Sequence, residues 1–73
     1  MDGKEPWVVF GQVLKRLRSE RKLSQAQLGK RSGVDQTYIS FLERGLRQPT
    51  LPTLYGLCGA LNITLSELIN ELE

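Results

Sequence analysis

Three short stretches of this chain are built to start a helix. Ser24 is followed three residues later by Gln27, and Thr64 by Glu67. Each pair has the spacing of a capping box, in which the first side chain accepts an orphan backbone N–H and the second returns the bond. Leu23 and Leu28 flank the first box, and Ile63 and Leu68 flank the second, as hydrophobic staples. Asp35, between Val34 and Ile39, has the same staple around a capping carboxylate. Thr50 can cap a fourth helix, because Pro52 falls in the first turn, where amides lack intrahelical partners anyway. So many starts within 73 residues leave room only for short helices joined by short loops.

Apolar spacing agrees. Phe10, Val13, Leu14 and Leu17 recur at i, i+3, i+4 and i+7. Leu54, Leu57, Cys58 and Leu61 repeat the pattern, as do Leu65, Leu68, Ile69 and Leu72. Each set is one stripe of an amphipathic helix, and no alternating strand pattern or internal repeat is visible. Gly33 and Gly45 follow helical stretches, where a left-handed residue closes the end. Gln48 before Pro49 keeps the chain extended ahead of Thr50. The reading is a single all-α domain over residues 1–73, with five helices at about 6–21, 25–32, 36–44, 51–61 and 65–72.

A chain of this size buries only roughly 60% of its unfolded surface and is marginal alone. A second copy that binds only the folded form stabilises it. Hydrophobic residues make up 40% and charged residues 25%, ordinary for a soluble globular protein. The apolar run Trp7–Phe10 is too short for a signal peptide or a membrane span, so the expectation is a cytosolic protein with no membrane partner. There is no histidine and one cysteine, Cys58. This removes the commonest general base, an internal disulfide and a four-ligand zinc site. No nucleophile–base pair or phosphate loop is present either. The chain reads as a non-enzyme with no cofactor and no metal, and Cys58, on an apolar stripe, as a small hydrophobe.

Charge is unevenly placed. Residues 15–47 hold nine basic against three acidic residues, and the remainder holds one against five. A +6 block beside a −4 remainder suits a polyanion partner, although a solvated basic face has the same composition.

The connection between the second and third helices is the short, glycine-containing Ser-Gly-Val-Asp at 32–35. Two short helices joined in this way form a helix-turn-helix, whose second helix enters the DNA major groove by its first residues. Around the third helix, Ile39 and Leu42 point inward with the Val34 staple. Gln36, Thr37, Ser40, Phe41 and Arg44 occupy the other side. A glutamine can pair bidentately with adenine, Ser and Thr with several base edges, and an aromatic with a thymine methyl. Phe41 is then a thymine-methyl contact, a prop for its polar neighbours, or packing against the second helix. Arg44 is a DNA contact or an exposed charge at a helix C-terminus, where the dipole favours it.

The stretch Leu14–Ile69, with Tyr-Ile-Ser-x-Leu-Glu-x-Gly at 38–45, the following proline and two further helices in order, resembles the Cro/repressor-type helix-turn-helix domain of phage and bacterial transcription regulators. Thr37–Ser40 and Glu43–Leu51 look like restriction–modification controller proteins, small stand-alone members of that family. The resemblance implies a phage-repressor-type fold binding double-stranded operator DNA as a homodimer, with helix three in the major groove. It implies base readout by Gln36, Thr37, Ser40 and Phe41. Gln25 looks like a phosphate contact that can buttress the first reader, and Tyr38 like a phosphate contact through its hydroxyl. Arg47, Gln48 and Thr50 fall in a loop that approaches the backbone. Arg18 and Glu43 resemble an ion pair tying the first helix to the third. Gly29 departs from the pattern, which usually has alanine there, and a close approach of helix three would rationalise it.

In the last helix the expectation is Leu68 inward and Leu65, Ile69 and Leu72 partly available to a second subunit, since half-sites lie about 34–36 Å apart. Trp7 covers either the core or a dimer seam. The acidic, apolar last helix also fits a second class of function, an antitoxin or other protein-interaction module.

Overall fold

The computed structural model describes residues 5–73. Its five helices are α1 (Pro6–Glu20), α2 (Gln25–Ser32), α3 (Gln36–Glu43), α4 (Leu51–Leu61) and α5 (Leu65–Leu72), with no strand among the described residues. Both capping boxes are closed. Ser24 Oγ accepts from the Gln27 amide at 3.0 Å while Gln27 Oε1 accepts from the Ser24 amide at 2.8 Å. Thr64 and Glu67 do the same at 3.0 and 2.8 Å. Asp35 Oδ1 accepts from the Thr37 amide at 2.7 Å, and Thr50 Oγ1 from the Thr53 amide at 3.3 Å.

The helix ends are as regular as the starts. Among the described residues, four have left-handed backbone: Lys22 (φ 56°), Gly33 (φ 74°), Gly45 (φ 72°) and Asn62 (φ 58°). After α1, α3 and α4 the amide beyond that residue reaches back five positions: Leu23 to Arg18, Leu46 to Phe41, Ile63 to Cys58. The left-handed residue itself reaches back three positions, to Ser19, Leu42 and Gly59. This is the Schellman motif, which satisfies carbonyls that the helix leaves orphaned. After α2 the Gly33 amide returns to the Gly29 carbonyl at 2.9 Å, the simpler form of the same stop. Glycine and asparagine are the residues that tolerate this conformation best; Lys22 adopts it without that tolerance. Helices α1 and α3 end one residue before the sequence-based boundaries, because Arg21 and Arg44 (both ψ near zero) lead into the left-handed residue.

Three junctions therefore share one design: a left-handed residue, an apolar residue, a capping residue. They are Lys22-Leu23-Ser24, Gly33-Val34-Asp35 and Asn62-Ile63-Thr64. The apolar member serves both the helix that ends and the helix that begins. Leu23 is buried, and Val34 and Ile63 pack against the core.

That core joins α1 (Phe10, Val13, Leu14, Leu17) to Leu28, Ile39, Leu42, Leu57, Cys58, Leu61 and Leu68. Burial pushes the Cys58 thiol pKa up, in keeping with a small buried hydrophobe. Helix α1 packs on α3 and α5, and α2 on α3 and α4. Two glycines are close approaches rather than turns. A Cβ on Gly11 would overlap the Leu42 carbonyl oxygen at the end of α3. A Cβ on Gly29 would lie 2.8 Å from the Val34 carbonyl oxygen and 3.5 Å from the Gln36 amide. Ile39 Cδ1, from the middle of α3, would lie at 3.6 Å, so the space at Gly29 is taken by the turn and by α3 together. No helix among the described residues is long and apolar enough to cross a membrane.

Candidate nucleic-acid interface

Helix α3 has two faces. Ile39 and Leu42 are fully buried, whereas Gln36 and Thr37 in its first turn are exposed and Ser40 and Phe41 half-buried. Neither Gln36 nor Thr37 has a side-chain hydrogen bond among the described residues, so both polar groups are free to meet a ligand.

The far end of α3 is clamped. Arg18 donates through Nε to Glu43 Oε2 at 2.6 Å and through Nη2 to Oε1 at 3.0 Å. Its third nitrogen, Nη1, donates to the Leu23 carbonyl at 2.7 Å. Gln25 Nε2 donates to Glu43 Oε1 at 3.0 Å. The side chains of Arg18 and Glu43 are 13% and 3% exposed. The carboxylate holds the guanidinium pKa above its usual value through these bonds, against the opposing effect of burial. One network thus fixes α1, α2, α3 and the first junction relative to each other, which positions the exposed turn of α3. The ion pair that the family resemblance implies is present. Gln25, expected at a phosphate, has an amide donor committed to Glu43 and makes no hydrogen bond to Gln36.

The remaining residues expected at DNA sort differently. Tyr38 donates its hydroxyl proton to the Gln48 carbonyl at 3.0 Å. A phosphate oxygen can only accept, so in this arrangement the hydroxyl holds the loop rather than presenting a donor. Thr50 likewise commits its hydroxyl to the protein, capping α4 and donating to Thr53 Oγ1 at 2.9 Å. Arg44, Arg47 and Gln48 are exposed. The Arg44 and Arg47 guanidinium carbons lie 5.1 and 5.6 Å from the centroid of the Phe41 ring. Phe41 stands outside the buried core cluster. It is half-buried, and the contacts its ring makes are with these two guanidiniums.

The basic block is divided. Arg16 pairs with Glu20 at 3.1 Å and with Glu71 on α5. Arg21 donates through Nε to the Leu61 carbonyl at 2.6 Å. With Arg18, these side chains staple the fold. Lys15, Lys22, Lys30, Arg31, Arg44 and Arg47 are exposed and remain for a polyanion.

A second surface is largely apolar. Pro6, Trp7, Phe10, Pro49, Leu54, Leu68, Ile69 and Leu72, with Gln48 at its edge, line one open depression. Ile69 is 43% exposed, while Leu65 and Leu72 are half-buried against the core. Of the three expected at a dimer seam, Ile69 is the one most available. Sequence reasoning passed over Leu51 and Tyr55, which are 57% and 59% exposed on one face of α4; their i, i+4 spacing was the signal.

Comparison with known proteins agrees with this geometry. Residues 14–68 match the helix-turn-helix family. An uncharacterised HTH-type transcriptional regulator, y4dJ of Sinorhizobium fredii, is 48% identical over 65 residues, covering 89% of this chain and 84% of that relative. Control protein C.MunI of a Mycoplasma species is 42% identical over 65 residues and 88% of each chain. The crystal structure of the restriction-modification controller protein C.AhdI from Aeromonas hydrophila superimposes with a TM-score of 0.82. It is 42% identical and covers 85% of this chain and 94% of that one. With the turn, the clamp and the exposed first turn of α3 in place, the chain belongs to the helix-turn-helix family of transcription regulators.

Proposed function

We propose that this protein is a sequence-specific regulator of transcription that binds double-stranded operator DNA as a homodimer, with α3 in the major groove. The observation that carries this reading is the exposed first turn of α3. Gln36 and Thr37 have no partner of their own there, on a helix held by a buried face and a buried ion pair. Such a turn matches the chemistry of base edges, and the free lysines and arginines match phosphates. The exposed Ile69 beside Trp7 and Leu72 supports pairing of two copies. The acidic residues of α5 give less support to a protein-interaction module, because Glu67 caps its own helix and Glu71 pairs with Arg16.

The test is selection of binding sites from random duplex DNA, followed by titration of the selected duplex across a salt series. A preferred, two-fold-related sequence bound with affinity that falls steeply with salt is expected. Equal binding of selected and random duplexes, or no salt dependence, would overturn the reading. Analytical ultracentrifugation of the free protein and the complex tests the dimer separately.

A further inference from the structure

Phe41 sits two residues before the end of α3, and the backbone explains why two arginines meet on its ring. Arg44 lies one turn further along the same helix face, three residues on. The chain then reverses through Gly45, and the Leu46 amide returns to the carbonyl of Phe41 itself at 2.9 Å. That reversal carries Arg47 back over the residue that closes it. Both guanidiniums therefore converge on one face-bearing side chain, at 5.1 and 5.6 Å from its centroid. Neither has a carboxylate within ion-pair distance among the described residues. Glu43 is taken by Arg18, and Asp35, which lines the same depression as Phe41 and Arg47, is taken by the Thr37 amide. Two like charges held against one ring without a counter-ion repel each other, and an anion bound by them relieves the repulsion.

We infer that Phe41 is a positioning residue: an aromatic platform that pre-sets Arg44 and Arg47 as a two-pronged clamp for the phosphodiester backbone. This rests on the DNA-binding reading above but assigns Phe41 a different task from base contact. Cation–π contact orders both long side chains before binding, that of Arg44 together with a bond from its Nε to the Ser40 carbonyl at 3.4 Å, so less freedom is lost when they close on phosphate. The platform is indifferent to sequence, and it stands beside the residues that are not.

The experiment is a mutant cycle on the wild-type fold. Affinity for a duplex selected by the wild-type protein, and for a shuffled duplex, is measured for Phe41→Leu, Phe41→Trp, Arg44→Gln/Arg47→Gln and the triple variant. Phe41→Leu is expected to weaken both duplexes alike, by about tenfold. Phe41→Trp keeps a π face and restores binding to within about twofold of wild type. In the Arg44→Gln/Arg47→Gln background, Phe41→Leu has little further effect, because the cycle is strongly non-additive. Additive losses, or a loss confined to the selected duplex, mean that Phe41 touches DNA itself and overturn the proposal. So does unchanged binding by Phe41→Leu while the wild type binds. Absence of any wild-type binding overturns the DNA-binding reading as well, and so separates the two failures. A DNA-free control uses proton NMR. The Arg44 and Arg47 side-chain methylenes are shifted upfield by the ring in the wild type, and absence of that shift also refutes the platform.

Discussion

Replacing Glu43 with alanine removes the acceptor of three hydrogen bonds at once, two from Arg18 and one from Gln25. The Arg18 guanidinium stays behind, 13% exposed, with only the Leu23 carbonyl to hold it. Breaking a buried pair from one side costs about 3–5 kcal/mol, because the orphaned charge remains desolvated. A domain of this length has a total stability of roughly 4–11 kcal/mol, so the loss is a large share of the whole. With an unfolding entropy of about 2.1 cal/mol/K per residue, it corresponds to a fall in Tm of roughly 20–30 °C. Thermal unfolding followed by far-UV circular dichroism, at one fixed protein concentration, reads this directly. The double variant Arg18→Met/Glu43→Leu removes both charges and keeps apolar bulk, and is expected to recover most of the loss. A Glu43→Ala fall under about 1 kcal/mol, or a double variant no better than the worse single, would show that the pair behaves as a solvated surface bridge.

Three further outcomes are expected. Gln36→Ala should change which bases are preferred at one position of the selected site, whereas Arg47→Ala should weaken all duplexes and flatten the salt slope by about 1; equal weakening of every sequence by both would remove Gln36 from the readers. Gly11→Ala should lower the Tm, because overlap with the Leu42 carbonyl costs about 1–3 kcal/mol or more against about 1 kcal/mol gained in helix propensity; a higher Tm would mean that α1 and α3 are less closely fitted than the structure shows. The Glu67 carboxylate is held below its ordinary pKa chiefly by its bond from the Thr64 amide. Its contribution is therefore complete above the ordinary carboxylate range and lost as pH falls through the depressed value. Protection of the first-turn amides of α5 against hydrogen exchange, relative to their intrinsic rates at each pH, should fall across that acid window in the wild type, and Glu67→Gln, which keeps an acceptor, should abolish the change.

Helix starts were legible in the sequence because capping is local: acceptor, spacing and staple lie within a few residues. The core stripes were legible for the same reason, and Leu14, Leu28, Ile39, Leu42, Leu57 and Leu68 are all at or near zero exposure. Two of the stops were not. Lys22 and Asn62 take the left-handed conformation that Gly33 and Gly45 advertise by composition, and a lysine there is imposed by the Schellman bonds rather than by its own preference. The ion pair of Arg18 and Glu43 came from family resemblance, since nothing local links residues so far apart in the chain. The splitting of the basic block was hidden because composition counts charges without their partners. Arg16, Arg18 and Arg21 turn inward or across helices only once α5, α3 and α4 have packed. Phe41 and Arg47 meet by a chain reversal that no helical wheel contains.

The junction Gly33-Val34-Asp35 has one further implication, for how such a chain can change. The angle at which α3 leaves α2 is set by main-chain geometry, one apolar plug and one cap. Farther along, the buried positions Ile39, Leu42 and Glu43 hold it. Gln36, Thr37 and Ser40 take no side-chain part in that support. Their identities can drift one at a time while the helix continues to arrive at the duplex in the same pose. If these three residues read bases as proposed, a lineage built on this junction can acquire new operators by single replacements, without passing through forms that fail to fold.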